Sequence, residues 1–289
     1  MTELIHTHGL TVSHRDFTLG PIDLALPAGY IMGLVGANGA GKTTLLKALL
    51  GLAPLDGGGF DLLGRPGGVA TTRAAIGVVL DQPLFGETWT AKDIARAYAA
   101  GYPGFDKAGY VSRLNRLAVP MATRFQRMSR GTQVKLQLAA AMSHGAKLLL
   151  LDEPTAGLDA ATRADLMGEL QAFIAAGDAS VLISTHIVED LEEIVDYLAY
   201  LDHGRLQFSG ERDVFLAAYR QVKGGAAALS PLVREAAIGL RETAVGWTAI
   251  LPVDAATALD GVVCEPVGLN ALMVALERGG QVNENSVEN

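Results

Sequence analysis

The chain is 289 residues long, 49% apolar and 19% charged, with a formal net charge of −8. That balance supplies ample material for a core, and the acidic net charge excludes whole-molecule attraction to nucleic acid or to an anionic lipid surface. Cys264 is the only cysteine, so an intrachain disulfide is excluded and a reducing compartment fits.

The first eight residues lack the basic start and long apolar stretch of a signal peptide. No window offers the ~20 predominantly apolar residues of a membrane span, so the chain is not expected to cross a membrane itself. Residues 4–26 alternate apolar and polar around Gly20-Pro21, which predicts short strands joined by turns. Residues 30–35 form an apolar run of the kind a buried parallel strand shows. They lead into Gly36-Ala37-Asn38-Gly39-Ala40-Gly41-Lys42-Thr43-Thr44, which has the form GxxxxGKT and is followed by leucines at helical spacing up to Gly51. A strand, this loop and a helix make a phosphate-binding unit: the glycines let successive backbone N–H groups and the helix start face phosphate oxygens. Asn38, Gly39, Ala40, Gly41, Lys42, Thr43 and Thr44 are therefore expected to hold a nucleotide. Lys42 would reach its β- and γ-phosphates, and the Thr43 hydroxyl would sit on Mg²⁺. Phe17 and His14 are the candidates for a ring stacked on the base.

Beyond a turn cluster at 54–59, residues 60–63 read as a short strand and 75–80 as a buried one ending at Asp81-Gln82-Pro83. Residues 90–145 read as mostly helix, with Thr90 and Asp93 spaced as a capping pair and breaks at 101–104, at Pro120 and near Ser129-Arg130-Gly131. Strands are predicted at 147–152 and 180–186, with a helix at 160–176 between them. A further helix is predicted at 188–196, then strands around a turn at 202–204. The reading from 213 to 236 is helical, interrupted at Gly224-Gly225. Strands at 245–253 and 262–267 and a helix at 269–277 follow, and the polar end, 281–289, is expected to be disordered. Strands alternating with helices make this α/β with a mainly parallel central sheet.

In open α/β sheets ligands bind at the carboxyl ends of the strands, and four predicted strands deliver polar residues there: the phosphate loop, Gln82, Asp152-Glu153 and His186. An apolar strand running into two carboxylates conflicts with burial unless a cation waits for them. Mg²⁺ on Thr43 would be that cation. Asp152 would ligate it, directly or through water, and Glu153 would stand where an attacking water could be activated.

With these pieces in order, residues 4–212 resemble an ATP-binding cassette (ABC) ATPase, the nucleotide-hydrolysing subunit of ABC transporters. The matching motifs are Gly36 to Thr44 (Walker A), Gln82 (Q-loop), Ser129-Arg130-Gly131 (signature), Leu148 to Glu153 (Walker B), Gly157-Leu158-Asp159 (D-loop) and His186 (H-loop). The stretch LDEPTAGLD at 151–159 is the most specific. The closest likeness is to bacterial exporter-type ATPases of the acetoin-utilisation and antimicrobial-peptide-resistance kind. The resemblance implies a P-loop cassette at 1–212 with N-terminal antiparallel strands and a helical subdomain inserted at about 85–145, then a small α+β extension at 213–280. It implies catalytic roles for Glu153, His186 and Gln82, with Gln82 also reaching the metal. His186 would contact the γ-phosphate, while Ser129, Gly131 and Asp159 would approach the nucleotide of a second subunit.

Where the family has LSGGQ this chain has MSRGT at 128–132, followed by Gln133. Ser129 and Gly131 keep the hydroxyl and the backbone donor, and Arg130 is expected to face the partner's nucleotide. That expectation gives a purpose to residues 107–151, which hold eight Lys or Arg and no acid. The implied cofactors are ATP and Mg²⁺. The implied partners are a membrane-spanning permease, met near Trp89 and residues 84–105, and a second copy or homologous ATPase subunit; no nucleic acid is expected. The implied location is the cytoplasm, peripheral at the inner face of the cell membrane. The alternative, a soluble ABC ATPase acting on nucleic acid or ribosomes, usually carries two cassettes or a long inserted coiled coil, and this chain has neither. A catalytically silent subunit is disfavoured by the presence of Gln82, Glu153 and His186.

Overall fold

A computed structural model of the chain describes residues 2–81 and 85–278. The chain opens with β1 (Glu3–His14) and β2 (Phe17–Pro27), paired antiparallel with His14 opposite Phe17. The expected turn at Gly20-Pro21 is therefore misplaced: the chain reverses at Arg15-Asp16, and Gly20 and Pro21 lie inside β2. Gly20 serves there as a close-approach point, its N–H donating to Gly204 O at 2.7 Å.

β3 (Ile31–Val35) runs into the loop before α1 (Lys42–Leu49). β4 (Gly57–Leu62) starts within the glycine cluster, three residues earlier than expected, because those glycines pair with β1. Short elements follow, β5 (Arg65–Pro66) and α2 (Ala70–Arg73), before β6 (Ile76–Val79). Three helices come next: α3 (Ala91–Gly101), α4 (Lys107–Arg116) and α5 (Arg130–Ala141). Thr90 and Asp93 form a reciprocal capping box on α3. Tyr110 anchors this helical group, fully buried with its hydroxyl donating to Ala91 O at 3.0 Å.

β7 (Leu148–Asp152), α6 (Ala160–Ile174), β8 (Ser180–Thr185), β9 (Tyr197–Asp202) and β10 (Arg205–Glu211) complete the central sheet, in the order β10-β9-β3-β8-β7-β6. All its neighbours are parallel except β9 and β10. Every residue of β3, β7 and β8 is buried, as expected of parallel strands covered on both faces. One face packs on α1 and the antiparallel sheet β2-β1-β4-β5, through Leu10, Leu24, Leu34, Leu45 and Leu150.

The segment 188–196 departs from expectation. Val188, Leu191 and Val195 keep a helical period and are buried, but the regular element is only a 3-10 turn at Val188–Asp190. Its acidic side chains are engaged by neighbouring elements: Asp190 by Arg163, Glu192 by the Leu269 N–H and Glu189 by Asn270.

The C-terminal part holds α7 (Arg212–Ala217), β11 (Tyr219–Gly224), α8 (Pro231–Ala236), β12 (Ile238–Thr243), β13 (Gly246–Pro252), α9 (Val253–Thr257), β14 (Val262–Pro266) and α10 (Leu269–Glu277). Its antiparallel sheet runs β12-β13-β11-β14. The helical reading of 213–236 fails at β11, and the sequence reading missed β12. β11 is a central strand whose Tyr219 and Val222 are buried, so cross-strand pairing to β13 and β14 overrides a weak local pattern. Phe215, Ile238, Leu269 and Leu276 share one buried cluster with Val35 and Leu149 of the central sheet. Val222, Trp247 and Leu251 form a second, smaller cluster. The expectation for 281–289 lies outside the described residues. Among the described residues, no helix is long and apolar enough to cross a membrane.

Candidate functional site

Parallel register brings the functional segments together. β8 lies between β3 and β7, with Val35 opposite Thr185 and Asp152 opposite Ser184. The residues after Val35, Asp152 and Thr185 therefore leave the sheet side by side. Gly36, at φ 151°, has its backbone so close to Leu201 that a Cβ would sit 2.2 Å from that carbonyl oxygen. Gly41 precedes α1 at φ 112°, a conformation open to glycine, and no side chain caps the helix. The first N–H groups of α1 thus lack intrahelical partners and make an anion-facing end. The turn at Gly204 braces the loop from behind, its N–H donating to Ala40 O at 3.1 Å.

Lys42 is buried, and its ammonium donates to Gly36 O at 2.6 Å and Ala37 O at 3.2 Å. It also lies 3.2 Å from Glu153 Oε1. The Thr43 hydroxyl is 3.0 and 2.9 Å from the two oxygens of Asp152, whose carboxylate is buried. Glu153 stands at φ 47°, a left-handed conformation few non-glycine residues adopt. Ser184 holds it there: the Glu153 N–H donates to Ser184 O at 3.1 Å and to Ser184 Oγ at 3.0 Å. The Ser184 hydroxyl in turn donates to Asp152 Oδ1 at 2.7 Å. On its far side Glu153 Oε2 meets His186 Nδ1 at 2.8 Å. Lys42, Glu153 and His186 are thus one chain of contacts. Lys42 and Glu153 line an open cleft of about 230 Å³ together with Phe17, Asn38, Gly39, Gly41, Thr43 and Thr44, and His186 stands behind Glu153.

Of the two aromatic candidates, Phe17 is the one at the loop, its ring 3.0 Å from the position a Cβ on Gly41 would take. His14 stands exposed across the hairpin from it. Gln82 lies outside the described residues. Ser129 and Asp159 do not line the cleft; each caps a helix. Ser129 accepts from Thr132 N at the start of α5, and Asp159 from Thr162 N at the start of α6. The backbone N–H and hydroxyl of Thr162 hold the Asp159 carboxyl below the usual carboxylate range. Thr162 also crowds Gly131, where a Cβ would lie 2.9 Å from its methyl. Ser129, Gly131 and Asp159 therefore gather where the two helix starts meet. Arg130 is tied within its own chain, to Asp81 Oδ1 at 2.5 Å and more loosely to Asp81 O and Ala156 O.

Sequence reasoning missed Ser184 and the Arg163–Asp190 pair. The Ser184 signal is a hydroxyl pair, Ser184-Thr185, ending an otherwise apolar strand just before His186. Arg163 Nη1 sits 2.7 Å from Asp190 Oδ1, joining α6 to the segment after His186. The hydroxyl of Thr43 and carboxylate of Asp152 are hard oxygen donors of the kind Mg²⁺ takes. Among the described residues no cluster of three or more His, Cys, Asp or Glu side chains could hold a metal. An ion there would complete its shell with water and phosphate, which is the habit of Mg²⁺.

Residues 19–156 match the family model described as ABC transporter. The chain is 30% identical over 193 residues to the ABC transporter ATP-binding protein YtrB of Bacillus subtilis, covering 65% of each chain. It is 31% identical over 211 residues to the bacitracin transport ATP-binding protein BcrA of Enterococcus faecalis, covering 71% of this chain and 68% of BcrA. Against the Nod factor export ATP-binding protein I of Sinorhizobium fredii it is 32% identical and spans only 55% of that protein. Among solved structures, an ATP-binding subunit of an ABC transporter superposes with a TM-score of 0.66 at 27% identity, covering 73% of this chain and 91% of that one.

Proposed function

Since the chain belongs to the ABC transporter family of ATP-binding proteins, we propose that it hydrolyses ATP to drive a separate membrane-spanning permease, working as one of a pair of ATPase subunits. The observation that carries this reading is the contact chain Lys42–Glu153–His186 beside Thr43 and Asp152, at the mouth of a glycine-rich loop.

Phosphate oxygens entering the loop compete with Glu153 and two carbonyls for the Lys42 ammonium, a charge-assisted contact of the strong kind. Release from Lys42 leaves the Glu153 carboxylate free to accept a proton. A water attacking the γ-phosphorus gives that proton to Glu153 as the bond to the leaving ADP oxygen breaks. His186, bonded to Glu153 through Nδ1, keeps Nε2 for the γ-phosphate. When bound at Thr43 and Asp152, Mg²⁺ supplies charge neutralisation for the phosphates. Phe17 is the ring we assign to the base. Gln82 is proposed to meet the ion and the attacking water, and Ser129, Gly131 and Asp159 to meet the nucleotide of the second subunit. A relative named for Nod factor export supports outward movement of the transported molecule.

Co-purification from detergent-solubilised membranes tests the assignment. The expected companion is a multi-span membrane protein; recovery with RNA and no such protein would overturn it.

A further inference from the structure

A second cavity, of about 560 Å³, lies in the C-terminal part, far from the chemistry in chain order. It opens between the antiparallel sheet and α10. Gln221 is directly opposite Ile250 across β11 and β13, and Arg241 directly opposite Thr248 across β12 and β13, so all four share one sheet face. Facing them, Asn270, Val274 and Arg278 recur at every fourth position along and just beyond α10 and line the other wall.

Arg241 reaches this face through a backbone irregularity. Ile238 pairs with Ile250 and Arg241 with Thr248, three residues on one strand against two on the other. Regular alternation would set Leu240 opposite Thr248; the extra residue sets an arginine there instead. A β-bulge that re-aims a side chain is a common feature of functional sites. Gly239 supplies the left-handed turn at φ 63°, and it brings β12 so close to α10 that a Cβ would lie 2.9 Å from that of Ala275. Among the described residues neither the Arg241 nor the Arg278 side chain has an ion pair or a hydrogen bond. The nearby acid Glu242 is engaged by Arg234.

We propose that this cavity is a binding site for a small amphiphilic anion, a carboxylate or phosphate on an apolar body. Arg241 and Arg278 would take the anionic group, Gln221 and Thr248 would orient it, and Ile250 and Val274 would cover the apolar part. The volume is that of a small-molecule site, and an apolar wall with a few convergent polar groups is the usual composition of one. The site does not depend on ATP hydrolysis.

The probe is anilinonaphthalene sulfonate, whose fluorescence rises in an apolar site, titrated into the full chain. Saturable binding at one site per chain is expected. Arg241→Gln with Arg278→Gln, both exposed changes, should weaken it about tenfold or more, the loss expected for two charge-assisted contacts. Val274→Trp, which fills the cavity, should abolish it. Phenylnaphthylamine, which lacks the sulfonate, should bind the parent and the double variant alike. Lys42→Ala should leave the titration unchanged, so the outcome is independent of the ATPase assignment. Absence of saturable binding, or equal dye affinity in the parent and the double arginine variant, would overturn the proposal.

Discussion

The Lys42 ammonium lies 3.2 Å from Glu153 Oε1, so the cation of the phosphate loop and the acid just after β7 are paired within one chain. Lys42 is thereby held at the loop mouth, where a phosphate can replace the carboxylate. Lys42→Ala is expected to abolish hydrolysis and greatly weaken ATP binding, because the cation for the β- and γ-phosphates is lost. Nucleotide titration and phosphate release measure the two effects, and a variant hydrolysing at the parent rate would refute the loop assignment.

His186→Ala separates binding from turnover. His186 touches Glu153 and not the phosphate loop, so ATP affinity should survive while turnover falls by about 10²-fold or more, the usual scale for a positioned proton-transfer or charge-stabilising group. Parallel loss of binding, with no separate effect on turnover, would make His186 merely structural.

Arg163→Ala tests a strut that sequence reasoning did not anticipate. Asp190 is 1% exposed and its oxygens have no directed hydrogen bond; its partner is the Arg163 guanidinium, in ion-pair contact at 2.7 Å. Arg163 also donates to Leu158 O at 3.3 Å, within the D-loop. Removing one side of a buried pair leaves an uncompensated charge, so thermal or urea unfolding should show a loss of about 3–5 kcal/mol. A change under about 1 kcal/mol would mean Asp190 is solvated without Arg163.

His144 predicts an acid-sensitive step. It is buried between α5 and β6, with its ring nitrogens 3.4 Å from Ala140 O and 3.2 Å from Ile76 O. Burial lowers its pKa below the ordinary 6.5, although both carbonyls pull the other way. The unfolded chain then binds a proton that the folded chain resists, so stability should fall as pH drops below about 6.5 and level off below the folded value. His144→Gln should flatten that part of the stability–pH curve. An unchanged slope between about pH 7 and 5 would show that His144 is not the group responsible.

The phosphate loop, Asp152, Glu153 and His186 were readable from the sequence because each lies at the carboxyl end of a mostly apolar strand, and parallel pairing then aligns the strand ends. Ser184 was hidden because a hydroxyl pair at a strand end carries no periodic signal; its role comes from register opposite Asp152. β11 was misread as helix because Tyr219–Gly224 has only two buried apolar positions, and its conformation is set by neighbours distant in sequence. The Gly20-Pro21 turn failed for a similar reason: these turn-type residues sit inside a strand where Gly20 must approach Gly204. Sequence reasoning marked a break near Ser129-Arg130-Gly131 and an Arg130 facing a partner's nucleotide, but its contact with Asp81 bridges 49 residues and left no local trace.

The most direct test is the hydrolysis rate of Glu153→Gln measured alongside ATP affinity. The substitution keeps shape and hydrogen-bonding reach but removes the base, and it leaves Lys42, Thr43 and Asp152 in place. ATP should still bind, hydrolysis should fall by roughly 10²–10⁴-fold, and the ATP-bound variant should run near twice the monomer mass by light scattering. Hydrolysis by Glu153→Gln at the parent rate would contradict the account.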